Sequence, residues 1–96
     1  MTPESVPAVR LELPSILRAV AGWRRLEVRG GTIGDVLEAA FERTPVLRHH
    51  LTMESGELRP HVLCALNDET VPRESALATA LKDGDEVLIH QAISGG

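Results

Sequence analysis

The chain of 96 residues is long enough for one domain with a modest hydrophobic core. Its net charge of -4, one Trp, one Phe and no Tyr argue against nucleic acid as a partner, because phosphate contacts need basic residues and base stacking needs aromatic rings. The one cysteine, Cys64, excludes an internal disulfide and fits a reducing compartment. No apolar run is long enough to cross a bilayer and no signal peptide is visible, so the sequence predicts a cytoplasmic protein.

Two alternating segments predict strands near the start of the chain. AVRLELP (residues 8–14) alternates apolar and polar side chains, which indicates a half-buried strand that its last proline ends. WRRLEVRGG (residues 23–31) alternates in the same way, with Leu26 and Val28 on the apolar side. The two strands suggest a hairpin with a long connection. Residues 15–22, SILRAVAG, fit either a helical turn or an irregular segment.

The segment TIGDVLEAAFERTP (residues 32–45) predicts the main helix. Thr32 is a suitable N-cap, and Asp35 can complete a capping arrangement and complement the helix dipole. VLRHHLT (residues 46–52) predicts one further turn. Five apolar side chains recur at helical spacing and form one stripe: Ile33, Val36, Leu37, Ala40 and Phe41.

The second half of the chain predicts three more strands. VLCAL (residues 62–66) is apolar without alternation, so this strand is either central or carries an exposed apolar patch. Asn67 and Asp68 signal a turn, a short fourth strand lies near Val71, and VLIHQAI (residues 87–93) is the last strand. The order predicts an α+β fold, a mixed sheet of four to five strands packed on one main helix.

The segment QAISGG carries a second glycine pair after the last strand. Glycine has no Cβ, so Gly95 and Gly96 can thread a narrow channel, and residues 93–96 reach at most about 13–14 Å. A carboxylate on Gly96 would need activation, usually by adenylation. The chain shows neither a P-loop nor a dinucleotide motif, so ATP would have to be bound by a partner. An incidental tail on a plain binding module is the alternative.

The segment LKDGDEVLIHQAISGG (residues 81–96) resembles the C-terminal signature of the MoaD/ThiS ubiquitin-like sulfur carriers. TIGDVLEAAFERTP is similar to the helix of that family, and LRPHVLCALNDETV (residues 58–71) is similar to its third and fourth strands. The likeness covers about residues 8–96. It is strongest to carriers associated with cysteine synthases and to related MoaD-like carriers. His90 and Gln91 stand where many molybdopterin-synthase small subunits have prolines.

The resemblance implies a β-grasp domain over residues 1–92 and a flexible tail over residues 93–96. It implies a sulfur carrier, a protein co-substrate that is not itself an enzyme, or the small subunit of a sulfur-transfer complex. Gly96 would be adenylated by an E1-like enzyme that uses ATP and Mg²⁺, and then converted to a thiocarboxylate. A partner biosynthetic enzyme would use that sulfur for cysteine, molybdopterin, thiamine or a specialised metabolite. The alternative is a ubiquitin-like modifier conjugated through Gly96 to lysines.

No cofactor or metal is expected on this chain itself, and a monomer is expected on its own. On the last strand, Val87 and Ile89 should face the helix, so that Leu88 and His90 face outward. Leu88 and one face of residues 62–66 would form a docking patch, with a scattered surface leucine as the alternative. The residues expected to contact a partner are Gly95, Ser94, Ile93, Leu88 and His90.

Three further features of the sequence fit two possible roles each. Ile93 either anchors the tail or is an ordinary strand residue. Asp83, Asp85 and Glu86 form either a solvated acidic turn or a group that steers a basic partner. Trp23 is either an interface anchor or part of the core packing.

The remaining reactive side chains favour structural roles. His49 and His50 lack a third ligand at metal spacing. Cys64 in an apolar strand is expected to be an inert core thiol. Arg24 and Arg25 are expected to lie on a solvated strand face, with phosphate binding as the alternative.

Overall fold

The computed structural model describes residues 6–91. Strands and helices alternate irregularly along this part of the chain. They are β1 (Ala8–Glu12), α1 (Ser15–Ala21), β2 (Arg25–Arg29), α2 (Ile33–Arg43), α3 (Val46–Leu51), β3 (Val62–Leu66), β4 (Glu69–Thr70), a 3₁₀ helix (Arg73–Ala78) and β5 (Glu86–Gln91).

The five strands form one mixed sheet in the order β2-β1-β5-β3-β4. β1 pairs antiparallel with β2 and parallel with β5, and β5 pairs antiparallel with β3. The predicted α+β class and mixed sheet are confirmed. β5 lies in the middle of the sheet, so hydrogen bonds on both sides fix the strand that leads to the tail.

The connection between β1 and β2 is the helix α1, which decides between the two interpretations of residues 15–22. Gly22 ends the helix with a φ of 82°, in the left-handed region that glycine adopts without a Cβ penalty. Its N–H donates to the carbonyl of Arg18 at 2.8 Å. The strand pairing is that of the predicted hairpin, with Ala8 opposite Arg29.

α2 is the predicted main helix. The hydroxyl of Thr32 accepts a hydrogen bond from the N–H of Asp35 at 3.1 Å, which confirms the N-cap. The whole predicted stripe of this helix is buried. α3 follows after Pro45 and confirms the further helical turn, so the fold has two short α-helices beside the main one.

The inner face of the sheet packs on these helices, and the outer face is left to solvent. Val87 and Ile89 of β5 are buried beside Leu11 of β1, which confirms their predicted orientation. Burial of such aliphatic side chains contributes about 1.5–3 kcal/mol each. None of the helices within residues 6–91 is both long and apolar enough to span a bilayer.

β3 lies between β5 and the two-residue strand β4, so it is next to the sheet edge. Its inward residues Val62 and Cys64 are buried, and its outward residues Leu63 and Ala65 are half-buried. The second interpretation of this apolar strand therefore holds in part, because two of its five apolar side chains face outward. Val71 follows β4, and its N–H donates to the carbonyl of Cys64 at 2.9 Å.

Candidate functional site

The predicted reactive tail lies outside the described residues. Ile93, Ser94, Gly95 and Gly96 therefore keep their roles as predictions. The last described residue is Gln91, at the end of β5, where it pairs with Val62 of β3. The described part of the site is therefore the surface around Gln91.

β5 presents the two outward residues that the sequence predicted. Leu88 is 37% exposed and lies opposite Ala65, and His90 is exposed and lies opposite Leu63. The four side chains occupy one face of the sheet, because paired residues on neighbouring strands point the same way. Leu88 and the outward residues of β3 thus share the outer face, and their role as a docking patch stays a prediction.

A groove of about 420 Å³ borders the end of β5. One wall comes from residues 88–91 and the other from side chains between residues 12 and 18. Ile16 on this second wall is 67% exposed, although it is a large aliphatic residue. The sequence did not indicate Ile16, because α1 was one of two possibilities and only the parallel pairing of β1 with β5 brings the two walls together.

Three arginines surround the carboxylate of Glu12 on the same side of the sheet. Arg25, Arg18 and Arg24 approach its oxygens at 3.1, 3.4 and 3.7 Å. The side-chain hydrogen bond from Arg25, with the positive charges of Arg24 and Arg18, lowers the pKa of Glu12. Arg24 and Arg25 are exposed as predicted. Both also form ion pairs with the carboxylate of Glu12, so they belong to one cluster of charges.

The acidic turn before β5 has one buried member, Asp85, which corrects both interpretations of that residue, whereas Asp83 and Glu86 are exposed. Asp85 is buried, and its carboxylate accepts hydrogen bonds from the Asn67 side-chain amide at 3.0 Å and from the Lys82 N–H at 2.7 Å. Asp83 accepts from the N–H of Ala8 at 2.9 Å. These bonds tie the start of β5 to β1 and to the turn after β3, and of the two aspartates only Asp85 is withdrawn from solvent.

Asn67 belongs to this group of hydrogen-bonded residues around Asp85, although the sequence indicated it only as part of a turn. Asn67 and Asp68 have φ values of 49° and 73°, as a two-residue hairpin turn between β3 and β4 requires. The side-chain oxygen of Asn67 also accepts a hydrogen bond from the N–H of Glu86 at 2.9 Å. Glu86 itself is exposed and pairs with Arg10 at 3.3 Å.

The other reactive side chains have structural surroundings. Cys64 is 1% exposed, and burial raises the pKa of its thiol to about 11, as expected for a core thiol. Trp23 packs at the edge of the core, and its indole N–H donates to the hydroxyl of Thr44 at 2.9 Å. Within residues 6–91, no three His, Cys, Asp or Glu side chains are grouped to hold a metal ion.

In the described part of the chain, a mixed sheet with β5 in its middle packs on one main helix, and the printed sequence continues from β5 to Gly-Gly. The sequence model of the ThiS protein family matches residues 11–96 of this chain. The chain belongs to the ThiS family. The match runs from within β1 to the end of the printed sequence, five residues beyond the described part, and it confirms the resemblance to this family. The solved structures of related ubiquitin-like proteins confirm the β-grasp fold.

Two relatives cover nearly the whole of this ThiS-family chain. The sulfur carrier protein CysO of Mycobacterium tuberculosis is 34% identical over 91 residues, which are 92% of this chain and 98% of that protein. Small archaeal modifier protein 3 of Haloferax volcanii is 33% identical over the same length and with the same coverage.

A solved structure shows the same fold. The crystal structure of the Amycolatopsis orientalis BexX/CysO complex contains a chain with 30% identity and a TM-score of 0.81. The similarity covers 93% of this chain and all of that one.

Proposed function

We propose that this ThiS-family chain is a sulfur carrier protein whose Gly96 carboxylate is adenylated by an E1-like enzyme and converted to a thiocarboxylate. The observation that carries the proposal is the family match over residues 11–96, which includes Gly95 and Gly96. A relative that is 34% identical is named a sulfur carrier protein. The chain then acts as a carrier and co-substrate, and catalysis belongs to its partners.

A carboxylate is a poor electrophile, so the first chemical step must activate the carboxylate of Gly96. A carboxylate oxygen of Gly96 attacks the α-phosphorus of ATP, and pyrophosphate leaves. A sulfide-level nucleophile then attacks the acyl carbon and displaces AMP, which leaves a C-terminal thiocarboxylate. The activating partner binds ATP and Mg²⁺ for the first step. A cytoplasmic location belongs to the same proposal, because cellular ATP is available there.

The thiocarboxylate sulfur is a nucleophile that stays attached to a folded protein. When a partner enzyme binds the carrier, the sulfur reaches its substrate at a high effective concentration. A small Gly95 lets the tail enter a narrow active-site channel. The known structure with BexX and CysO in one complex supports a sulfur-accepting enzyme as the second partner.

A protein modifier is the second candidate function. A relative that is 33% identical is named a small archaeal modifier protein. Both functions require adenylation of Gly96, but their products differ. A carrier exchanges one carboxylate oxygen for sulfur, whereas a modifier forms an isopeptide bond to a lysine of another protein.

Intact-mass measurement tests the proposal. The chain is incubated with a purified E1-like enzyme of its own organism, ATP, Mg²⁺ and a sulfur source. We expect the mass increase of one oxygen-for-sulfur exchange, and we expect Gly95→Ala to lose at least about nine-tenths of it, a rate effect of about 1.4 kcal/mol or more.

The matched control is Gly31→Ala. A Cβ on Gly31 would meet only the Asp35 carboxylate, at 3.7 Å, so this variant should load normally. Equal loading of the two variants would contradict the role of Gly95. Accumulation of lysine conjugates without a thiocarboxylate would favour the modifier.

A further inference from the structure

Lysine is almost absent from this chain. Lysine and arginine together number ten, and nine of the ten are arginine. The one lysine, Lys82, lies in the turn before β5 and is exposed. Both residue types carry one positive charge at neutral pH, so the charge of the surface does not by itself require arginine.

We propose that the arginines beside the end of β5 protect the activated carboxylate of Gly96 from attack by an amine of its own chain. They are Arg18, Arg24 and Arg25, the three that surround Glu12. The inference rests on the proposed function. It makes these positions determinants of specificity, because they decide whether the acyl group is left for sulfur or is taken by nitrogen.

The chemical reason is the difference between an amine and a guanidinium. The neutral amine of a lysine attacks the acyl carbon of a Gly96 adenylate: a C–N bond forms, the acyl C–O bond breaks, AMP leaves with the electron pair, and the amine proton passes to water. An arginine guanidinium stays protonated in proteins and offers no lone pair for this attack. A lysine near the tail would therefore convert the activated chain into a cyclic amide that cannot take up sulfur.

The tail begins beside these three arginines. Gln91 and Arg18 line the same groove. Glu12 also lines it and forms ion pairs with Arg24 and Arg25. Five residues follow Gln91, and fully extended they reach at most about 17 Å. A nucleophile at this groove would therefore meet the acyl group within one molecule, at an effective concentration of about 1 mM, as is usual for a short tether.

Lys82 lies at the other end of β5. Its carbonyl accepts a hydrogen bond from the N–H of Asp85 at 3.0 Å, in the turn that comes before the strand. The strand Glu86–Gln91 spans about 17 Å, so the tail would have to run back fully extended along all of it before reaching this turn. The one thiol of the chain is also withheld, because Cys64 is 1% exposed.

The contacts of Arg24 do not explain why arginine stands at this position. Its Nε approaches Glu12 at 3.7 Å, and its side chain is 62% exposed. A lysine amine makes exposed ion pairs of the same kind. Arg18 and Arg25, in contrast, each donate through two guanidinium nitrogens, in a planar fork that lysine does not reproduce. Arg24 is therefore the position at which the proposal is tested most directly.

One substitution and one matched control test the proposal. Arg24→Lys places an amine beside the groove. Arg29→Lys places the same amine at the far end of β2, where Arg29 is exposed and lies opposite Ala8. Both substitutions are made together with Lys82→Arg, so that each protein contains one lysine.

Each protein is activated in two ways. In the first assay it is prepared with a C-terminal thioester, which replaces the adenylate and needs no enzyme. In the second assay the E1-like enzyme of the same organism activates it with ATP and Mg²⁺, with and without a sulfur source. Intact mass identifies the products, because cyclisation leaves the chain lighter by one water than hydrolysis does.

We expect Arg24→Lys to form at least about ten times more cyclic amide than Arg29→Lys in both assays, because the tail holds the acyl group near the first amine only. With a sulfur source, Arg24→Lys should lose a matching share of its thiocarboxylate. In urea the two thioesters should cyclise equally, because positions 24 and 29 are separated from Gly96 by nearly the same length of chain. Thermal unfolding monitors the fold of both proteins.

The possible failures are distinguishable. Equal amounts of cyclic amide from the two folded thioesters would overturn the inference. A preference seen with the thioester but not with the enzyme would also overturn it, because the enzyme would then shield the acyl group whatever the surface offers. If the enzyme does not adenylate the unsubstituted chain, the proposed function is wrong and the inference falls with it, even where the thioesters show the expected preference.

Discussion

The carboxylate of Asp85 is buried at the entry to β5, where two hydrogen-bond donors hold it. The bond from the Asn67 amide, together with the Lys82 N–H and the Lys82 charge, lowers the pKa of Asp85 below its ordinary value. Because the folded-state pKa is depressed, this carboxylate stabilises the fold above its unfolded-state pKa of about 4. That contribution is lost as the pH falls through the folded-state value.

Asp85→Asn should therefore lower the free energy of unfolding by about 1–2 kcal/mol at neutral pH, because one of the two donors loses its acceptor. The difference from the unsubstituted chain should shrink as the pH falls below about 4. Urea unfolding at neutral pH and at about pH 3 measures both effects. Glu86→Gln is the control, since its exposed ion pair with Arg10 contributes only about 0–1 kcal/mol. A constant Asp85→Asn deficit at both pH values would contradict the role of the charge.

Cys64 gives a second prediction at the level of one side chain. The thiolate is the reactive form, and burial raises the pKa of the Cys64 thiol to about 11, so the native protein should react with a disulfide reagent at least about a hundredfold more slowly than free cysteine. The rate should rise with urea as the core opens. Absorbance of the released thiolate follows the reaction. Rapid modification of the native protein would contradict the burial of Cys64.

At the level of elements, the first turn of α2 lies unusually close to the 3₁₀ helix. A Cβ on Gly34 would lie 2.9 Å from the carbonyl oxygen of Leu77. Glycine is ordinarily unfavourable inside a helix by about 1 kcal/mol relative to alanine, so its presence here reflects the close approach of the two backbones.

Gly34→Ala should accordingly destabilise the protein, by about 1–3 kcal/mol, because backbone must shift to admit one methyl group. Gly31→Ala, three residues earlier and with more space, should change the free energy of unfolding by less than about 1 kcal/mol. Thermal or urea unfolding of the two variants measures the difference. Equal free energies of unfolding for Gly34→Ala and Gly31→Ala would contradict a tight backbone contact at Gly34.

The sequence predicted α2 well and α1 poorly, for a physical reason. α2 has a side-chain cap at Thr32 and a full apolar stripe, so local and tertiary signals agree. α1 has Pro14 at its N-cap position with no side-chain hydrogen bond, and it buries only Leu17. Its seven residues are too few to show a period clearly, so the packing of the finished fold determines it.

For the whole molecule, the sequence predicted the family and the fold, but not the surface around the tail. The outward residues of β5 follow from alternation along one strand, and Leu88 and His90 were identified in this way. The position of the arginine cluster beside Leu88 could not be identified, because Glu12 lies beside Leu88 only through the parallel pairing of β1 with β5. A pairing between segments 76 residues apart has no local signal in a single sequence.

The last prediction concerns the division between the folded domain and the tail. Within residues 6–91, the last strand pair joins Gln91 to Val62 and the last buried core residue is Ile89. If residues 93–96 are the tail that the sequence predicts, deletion of residues 94–96 should change the free energy of unfolding by less than about 0.5 kcal/mol. The same deletion should abolish adenylation, because the new terminal carboxylate lies on the branched Ile93, three residues short of Gly96 and without the glycine pair.

Urea unfolding and pyrophosphate release measure the two effects on one truncated protein. Deletion of residues 89–91 together with the tail is the contrasting variant, since it removes the buried Ile89 and the pairs with β3. We expect that variant to lose several kcal/mol of stability or not to fold. If the short deletion destabilised the protein as much, the tail would be part of the folded core.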